Sequence, residues 1–357
     1  MRRRCVRFFA SSHPVCQLFP RPDIVFATAH ARQRDAGLAG AVERAPSYAG
    51  WLNRDEAIMG TAIRVELWSD DRARGEAAIA AVIDEMQRID RAMSPYKPRS
   101  ELSLINRDAA KRAVPISAEM YELIERSIQF SELSAGAFDI TYAGVGHLYD
   151  YRQHVRPTDA QIEHARRAVG YQKLVLDSRS RTIRFARQGV RIDLGGFAKG
   201  YAVDNAAAIL ARHGITNAIV SAGGDSRVLG DRRGRPWTIA IRDPRRAGAV
   251  VAVLPLEDVA ISTSGDYERF FERDGVRCHH IIDPKTGTSP ASVHSVTILA
   301  ADGLTTEGLS KSVFVMGAER GMRLIETQPG ADAVIVDAAG ALHFSSGLQD
   351  AGPAARR

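Results

Sequence analysis

An α+β fold is expected for this chain of 357 residues. Segments of period-two apolar alternation are interspersed with segments of helical periodicity, and the two do not alternate strictly as a doubly wound sheet requires. The composition, 45% hydrophobic and 25% charged, supplies a sizeable core. It excludes a disordered chain, a collagen-like chain and a disulfide scaffold. No run of 18 apolar residues occurs, so no helix is expected to span a membrane.

The elements follow in order. Met59–Trp68 alternates, with Ile63, Val65 and Leu67 on one face, and reads as a strand. Ala77–Met93 carries Ile79, Ile83, Met86, Ile89 and Met93 at helical spacing. Ser117 is a good N-cap for a second helix to Ser134. Thr158 and Gln161 form a capping-box pair for a third, with Gly170 as a stop. Leu174–Leu176 and Ile183–Phe185 flank Asp-Ser-Arg-Ser as a hairpin. Val190–Asp193 reads as a short strand entering a Gly-rich turn, and a helix then runs to His213, stopped by Gly214. Ala218–Ser221, Trp237–Arg242, Val250–Leu254 and Val296–Ala300 read as strands, and Tyr267–Ile282 as a hairpin turning at Asp274-Gly275. Thr306–Met316 and Arg320–Gln328 are helical, and Ala333–Val336 with Leu342–Phe344 closes the chain as a hairpin. There is no internal repeat.

The charge is unevenly placed. Residues 1–54 hold nine Arg against two Asp and one Glu, which accounts for the whole net charge of +6. The remaining residues, 55–357, which include the body at 55–350, sum to zero and have no aromatic-and-basic interleaving, so nucleic-acid binding is not expected. Ser11, Ser12, His13 and Pro14 interrupt the apolar patch Val6–Phe9, so residues 1–54 read as a disordered leader or a degenerate export signal. Cys5 and Cys16 lie in that leader. Cys278 is then alone in the body, and no internal disulfide is expected there.

Three segments have residue types suited to chemistry. In Asp193-Leu-Gly-Gly-Phe-Ala-Lys-Gly200, glycines allow close backbone approach, a helix start offers free N–H groups, and Lys199 adds positive charge. It matches neither a P-loop nor a dinucleotide fingerprint. Ser221-Ala-Gly-Gly-Asp225 ends a strand in two glycines and a carboxylate. In Cys278-His-His-Ile-Ile-Asp-Pro-Lys-Thr-Gly287 the adjacent His residues lie on opposite strand faces, so at most one faces a site. His280 and Asp283 are the candidates there for proton transfer.

Further segments extend the pattern: Met59-Gly-Thr61, Met93-Ser-Pro-Tyr-Lys-Pro-Arg-Ser-Glu-Leu-Ser103, Gly136-Ala-Phe-Asp-Ile-Thr141, Ser262-Thr-Ser-Gly-Asp-Tyr-Glu268 and Phe314-Val-Met-Gly317. In order and spacing, from Met59 to Gly347, the set resembles the ApbE family of FAD:protein FMN transferases. The resemblance implies an α+β fold related to the T-fold, with mixed sheets, packed helices and an FAD cleft. It implies transfer of FMN from FAD to a Thr or Ser hydroxyl of an acceptor flavoprotein, with release of AMP and assistance from Mg²⁺. Hydrolysis of FAD to FMN and AMP, or FAD binding without chemistry, are the alternatives. The implied acceptor carries Asp-x-x-Ser/Thr-Gly-Ala-Thr/Ser, as in a subunit of a membrane redox complex. The implied location is the periplasm or the membrane surface.

By the same resemblance, Met59 and Tyr96 contact the flavin or adenine. Ala137, Phe138 and Asp139 line the cleft, Asp193 and Lys199 bind FAD further along, and Ile281 packs on it. Gly196 offers a carbonyl to the metal, and the two remaining family ligands, Asp and Thr, fall on Glu307 and Lys311. Glu307 keeps a carboxylate, but a protonated Lys has no lone pair to give. Two arrangements follow. Either the ammonium takes the ion's electrostatic place, or Lys311 swings out and a weakened Mg²⁺ site persists on Glu307, Gly196 and waters. The second is the expectation.

Overall fold

The computed structural model describes residues 49–246 and 248–349. The leader assigned to 1–54 lies outside the described residues except at its end. Gly50–Ile58 forms strand β1, paired along its length with β2 (Thr61–Ser69), so the folded body begins before residue 55. Their turn, Met59-Gly60, has φ of 54° and 68°, positive at both central residues as a type I′ hairpin requires.

The remaining strands are β3 (Val114–Pro115), β4 (Leu174–Asp177), β5 (Thr182–Phe185), β6 (Ala218–Ala222), β7 (Asp225–Leu229), β8 (Trp237–Arg242) and β9 (Val250–Leu256). They continue with β10 (Ala260–Gly265), β11 (Phe270–Arg273), β12 (Val276–His279), β13 (Val293–Ala300), β14 (Asp332–Asp337) and β15 (Leu342–Phe344). Eight of them make one sheet in the order β1-β2-β6-β7-β10-β13-β14-β15. Each neighbouring pair in it is antiparallel.

The helices are α1 (Arg72–Met93), α2 (Glu101–Asp108), α3 (Ala118–Leu133), α4 (Ala143–Gly146), α5 (Asp159–Arg166), α6 (Ala198–Arg212), α7 (Gly303–Met316), α8 (Ala318–Glu326) and α9 (Ser346–Gln349). Strand periodicity divides the sheet into two faces. Ile63, Val65, Val220, Val296, Ile298 and Ile335 join the main core with the apolar stripes of α1, α6 and α7. On the opposite face Val228, Ile261, Leu299 and Val334 pack against Trp237, Ile241, Leu254 and Leu256 of the β8–β9 hairpin.

The structure departs from expectation at Val190–Asp193, which is not a strand. Side chain and loop satisfy its backbone instead. Ile192 N–H donates to Asn106 Oδ1 at 2.8 Å, Asn106 Nδ2 donates back to the Ile192 carbonyl at 2.8 Å, and Asp193 N–H donates to the Ile140 carbonyl at 3.0 Å. The hairpin expected over Tyr267–Ile282 is confined to β11 and β12. Its turn is at Asp274-Gly275, with φ of 52° and 73°.

Helices α6 and α7 cross almost in backbone contact. A Cβ added at Gly200 would lie 2.2 Å from the Gly303 carbonyl oxygen, and one added at Gly303 would lie 2.6 Å from the Gly200 carbonyl oxygen. Carboxylates tie the crossing together reciprocally. Asp204 of α6 accepts the N–H groups of Gly303 (2.7 Å) and Leu304 (3.0 Å) at the start of α7. Glu307 of α7 accepts the N–H of Gly200 (2.8 Å) in the first turn of α6, whose N-cap residue Phe197 makes no side-chain cap. Because the obstacle at Gly200 is backbone, Gly200→Ala is expected to destabilise by about 2 kcal/mol or more in denaturant unfolding. A stability unchanged from the parent would show that the helices can separate without cost.

Candidate active site

The chemistry-bearing residues collect at the α6–α7 crossing, above the centre of the sheet. Asp225 opens β7 directly across from Ser262 of β10. Strand alternation puts Ser262 and Ser264 on the side facing α7, whose Glu307, Ser310 and Lys311 share a face at i, i+3 and i+4 spacing.

One hydrogen-bonded chain results. Lys311 Nζ donates to Ser264 Oγ at 2.7 Å. Ser264 and Ser262 hydroxyls lie 2.9 and 3.1 Å from Ser310 Oγ, and Ser262 Oγ donates to Asp225 Oδ1 at 2.6 Å. Lys199 Nζ donates to Asp225 Oδ2 at 2.7 Å and also to Glu307 Oε1. Glu307 is fully buried, whereas 21% of the Lys199 side chain remains accessible.

The electrostatics follow from this packing. Burial alone would push the Lys199 ammonium down, but Asp225 and Glu307 outweigh it and hold its pKa above the ordinary lysine value. Lys311 has no carboxylate within hydrogen-bonding distance among the described residues. Burial and the neighbouring Lys199 charge lower its pKa. Burial and the nearby Asp225 charge raise Glu307. Burial also raises Asp193, whose Oδ1 accepts the Gly195 N–H at 2.7 Å and fixes the Gly195-Gly196 turn.

The adjacent histidines separate where β12 ends, at His279. His279 is buried, with Nε2 2.8 Å from the Pro290 carbonyl oxygen and its ring edge-on to Phe314, and so is structural. His280 has a buried Nδ1 with no hydrogen-bond partner. Burial first, and then the positive charges of Lys311, Arg269 and Lys199, depress its pKa to about 3. Asp283 is not bonded to it. Asp283 Oδ1 accepts the Lys285 N–H at 2.8 Å and holds the turn to Gly287.

The other expected positions are distributed around this centre. Met59 is partly buried at the β1–β2 turn, and Arg269 ties that turn to His280 just beyond β12. Its Nη2 donates to the Gly60 carbonyl at 2.8 Å, and its own carbonyl accepts the His280 N–H at 3.1 Å. Tyr96 is 88% exposed. It lies close enough to Tyr142 and Tyr151 for its charge to bear on both. Ala137 and Ile281 are buried. Phe138 packs with Phe130 and Phe197 in an aromatic triangle at the start of α6. The Asp139 carboxylate is taken up locally, by Thr141 N–H (2.8 Å), Thr141 Oγ1 (2.6 Å) and Tyr171 N–H (2.7 Å), so it shapes the 137–142 loop. A shallow cavity of about 460 Å³ beside α4 and α5 contains none of these residues.

Sequence reading marked the Ser221–Asp225 segment without giving Asp225 a role, and passed over Ser262, Ser264, Ser310, Tyr142 and Arg269 as site residues. Only two signals stood in the sequence: Asp225 after paired glycines, and Ser262 and Ser264 at strand spacing.

The residues do not fit a divalent ion here. Among the described residues no three His, Cys, Asp or Glu side chains converge as a ligand set. Both Glu307 oxygens already accept hydrogen bonds from α6. Lys311 is turned inward rather than swung out, and as an ammonium it offers only donors. Of the three expected ligands, Lys311 is the one that cannot serve, while the Gly196 carbonyl and the engaged Glu307 carboxylate alone make too few for a built site.

Lys199→Met leaves two buried carboxylates facing each other. It is expected to cost about 3–5 kcal/mol at neutral pH. Glu307, already raised by burial and the Asp225 charge, then loses the cation that opposed the rise, and an acid whose folded pKa is raised loses stability as pH rises, so the deficit should shrink in mild acid. Equal deficits at both pH values in urea unfolding would sink the ion-pair account. His280 is depressed, so the unfolded chain binds its proton more readily, and stability falls as pH drops from about 6.5 towards 3. His280→Gln is expected to flatten that slope, read as the unfolding midpoint against pH.

Comparison with known proteins supports the same grouping. The ApbE family model matches residues 59–335. An FAD:protein FMN transferase of Treponema pallidum is 33% identical over 317 residues, covering 84% of this chain and 88% of the relative. One of Vibrio cholerae is 34% identical over 276 residues, covering 75% and 82%. Among solved structures, the ApbE protein of Thermotoga maritima superposes with a TM-score of 0.78 at 35% identity, covering 84% of this chain and 98% of that one. The flavin transferase ApbE of Vibrio cholerae superposes at 0.76 and 30% identity, covering 85% and 99%. The α+β architecture, the ordered motifs and the extent of these matches agree: this chain belongs to the ApbE family.

Proposed function

We propose that this chain is an FAD:protein FMN transferase. It moves FMN from FAD to a Thr or Ser hydroxyl of an acceptor flavoprotein, forming a phosphoester and releasing AMP. The observation that carries the reading is the convergence of Lys199, Lys311 and the α6 start, whose N-cap residue Phe197 makes no side-chain bond, beside His280 with its unpartnered Nδ1. Ammonium groups and a helix N-terminus suit a pyrophosphate. A buried imidazole that stays neutral suits a proton acceptor.

The chemistry needs one displacement. The acceptor oxygen bonds to the FMN-side phosphorus, the anhydride P–O bond breaks, and the bridging oxygen leaves with AMP. The hydroxyl proton passes to His280, and the departing charge falls on the α6 N-terminus and the ammonium groups. Exposed Tyr96, with Tyr142 and Tyr151 near it, supplies flat surface for a flavin or adenine ring, and Met59 adds an apolar edge. Family membership and the names of the relatives agree with this reading.

The test incubates the protein with FAD and a tagged acceptor bearing Asp-x-x-Ser/Thr-Gly-Ala-Thr/Ser. A fluorescent acceptor band with the mass of added FMN, accompanied by AMP, is expected. His280→Ala is expected to slow labelling by about a hundredfold or more, at unchanged FAD affinity. Free FMN without label would replace transfer by hydrolysis, and intact bound FAD without products would remove the enzymatic reading.

A further inference from the structure

We propose that the Lys311 ammonium is this chain's resident counter-cation for the FAD pyrophosphate, standing where the family resemblance placed a divalent ion, so that FAD binding and transfer proceed without a metal. The inference rests on the FAD-dependent reading above. It is carried by position, anchorage and charge.

Position comes first. A Cβ at Gly196 would lie 3.6 Å from both Cγ and Cε of Lys311, so the lysine stem runs along the Gly195-Gly196 turn to the start of α6. That is the positive end of the α6 dipole, which favours an anion. The anchorage is built rather than incidental. Nζ donates to Ser264 Oγ, and Ser264 continues through Ser310 and Ser262 to Asp225. An ammonium has three donors, and Ser264 accepts the one hydrogen bond it makes among the described residues. Two remain for an anion.

Charge completes the argument. Both carboxylates of the cluster are taken by Lys199, and Glu307 is further engaged by Gly200 N–H. Lys311 is therefore the cation not committed to a carboxylate hydrogen bond. The two departures from the family ligands act as one change. The longer Glu307 reaches α6 and caps it. The position one turn later carries its own positive charge.

The test uses the full chain, FAD, the acceptor peptide and Mn²⁺ as a paramagnetic probe. FAD affinity and labelling rate are expected to be the same in excess EDTA as in Mg²⁺, and the protein–FAD complex is expected to show no stoichiometric Mn²⁺ site by electron paramagnetic resonance. Lys311→Gln is expected to weaken FAD affinity by about tenfold to a hundredfold in either medium. Glu307→Asp combined with Lys311→Thr restores oxygen donors and is expected to create Mn²⁺ binding and EDTA sensitivity. A stoichiometric Mn²⁺ site in the unaltered chain, or FAD affinity lost in EDTA, would overturn the proposal while leaving transfer intact. Unlabelled acceptor in every condition, with FAD still bound in EDTA, would overturn transfer and leave the counter-cation standing. No FAD binding in any condition would overturn both.

Discussion

The site depends on how closely α6 and α7 cross. Two glycines bring the backbones to a separation that no side chain permits. Each helix then satisfies the first turn of the other with a carboxylate, Asp204 for α7 and Glu307 for α6. A helix N-terminus leaves donors that water or a side chain must meet. By meeting one of them from a neighbouring helix, the fold buries Glu307 completely and makes a cationic partner necessary. Lys199 is that partner, and the sheet contributes Asp225 as its other acceptor.

Buried ion clusters are a weak source of stability, because desolvation offsets most of the Coulomb attraction. Here their value is geometric. Asp225, Glu307 and three serines fix both ammonium groups to the sheet and to α7, so neither needs to search for its position when an anion arrives. The aromatic triangle of Phe130, Phe138 and Phe197 underlies the same helix start and stiffens the Gly195-Gly196 turn from below. Arg269 performs a comparable service at the rim by tying the Met59-Gly60 turn to His280.

Much of the fold was legible in the sequence because period and punctuation carry it. Ser117, Thr158 and Gly214 mark helix ends, and the alternation in β2, β6 and β13 marks the sheet faces. The misreading at Val190–Asp193 has a physical cause. Its apolar alternation is real, but its backbone partners are Asn106 and Ile140, and no local pattern reveals a side chain far away acting as a strand. The site was legible only where a motif concentrates it, at Asp193–Gly200 and at His280. Asp225 and the serines belong to the site through strand register and helix crossing, which are long-range facts. Asp139 shows the converse. A conspicuous carboxylate in a motif spends one oxygen on its own loop and the other on the Tyr171 N–H.

The free site contains two ammonium groups against two carboxylates, and His280 is neutral beside them. Part of the reason His280 resists protonation is those ammonium groups, after burial itself. A bound pyrophosphate would place negative charge among them and offset their effect on the imidazole. The event that brings the phosphorus into position would then also raise the proton affinity of the nearest base. On the proposed mechanism, the loaded site would then hold a stronger base than the free one. Such coupling requires cations fixed close to both the anion and the histidine. The crossing of α6 and α7, with its lysines anchored on buried serines and carboxylates, holds them in that place.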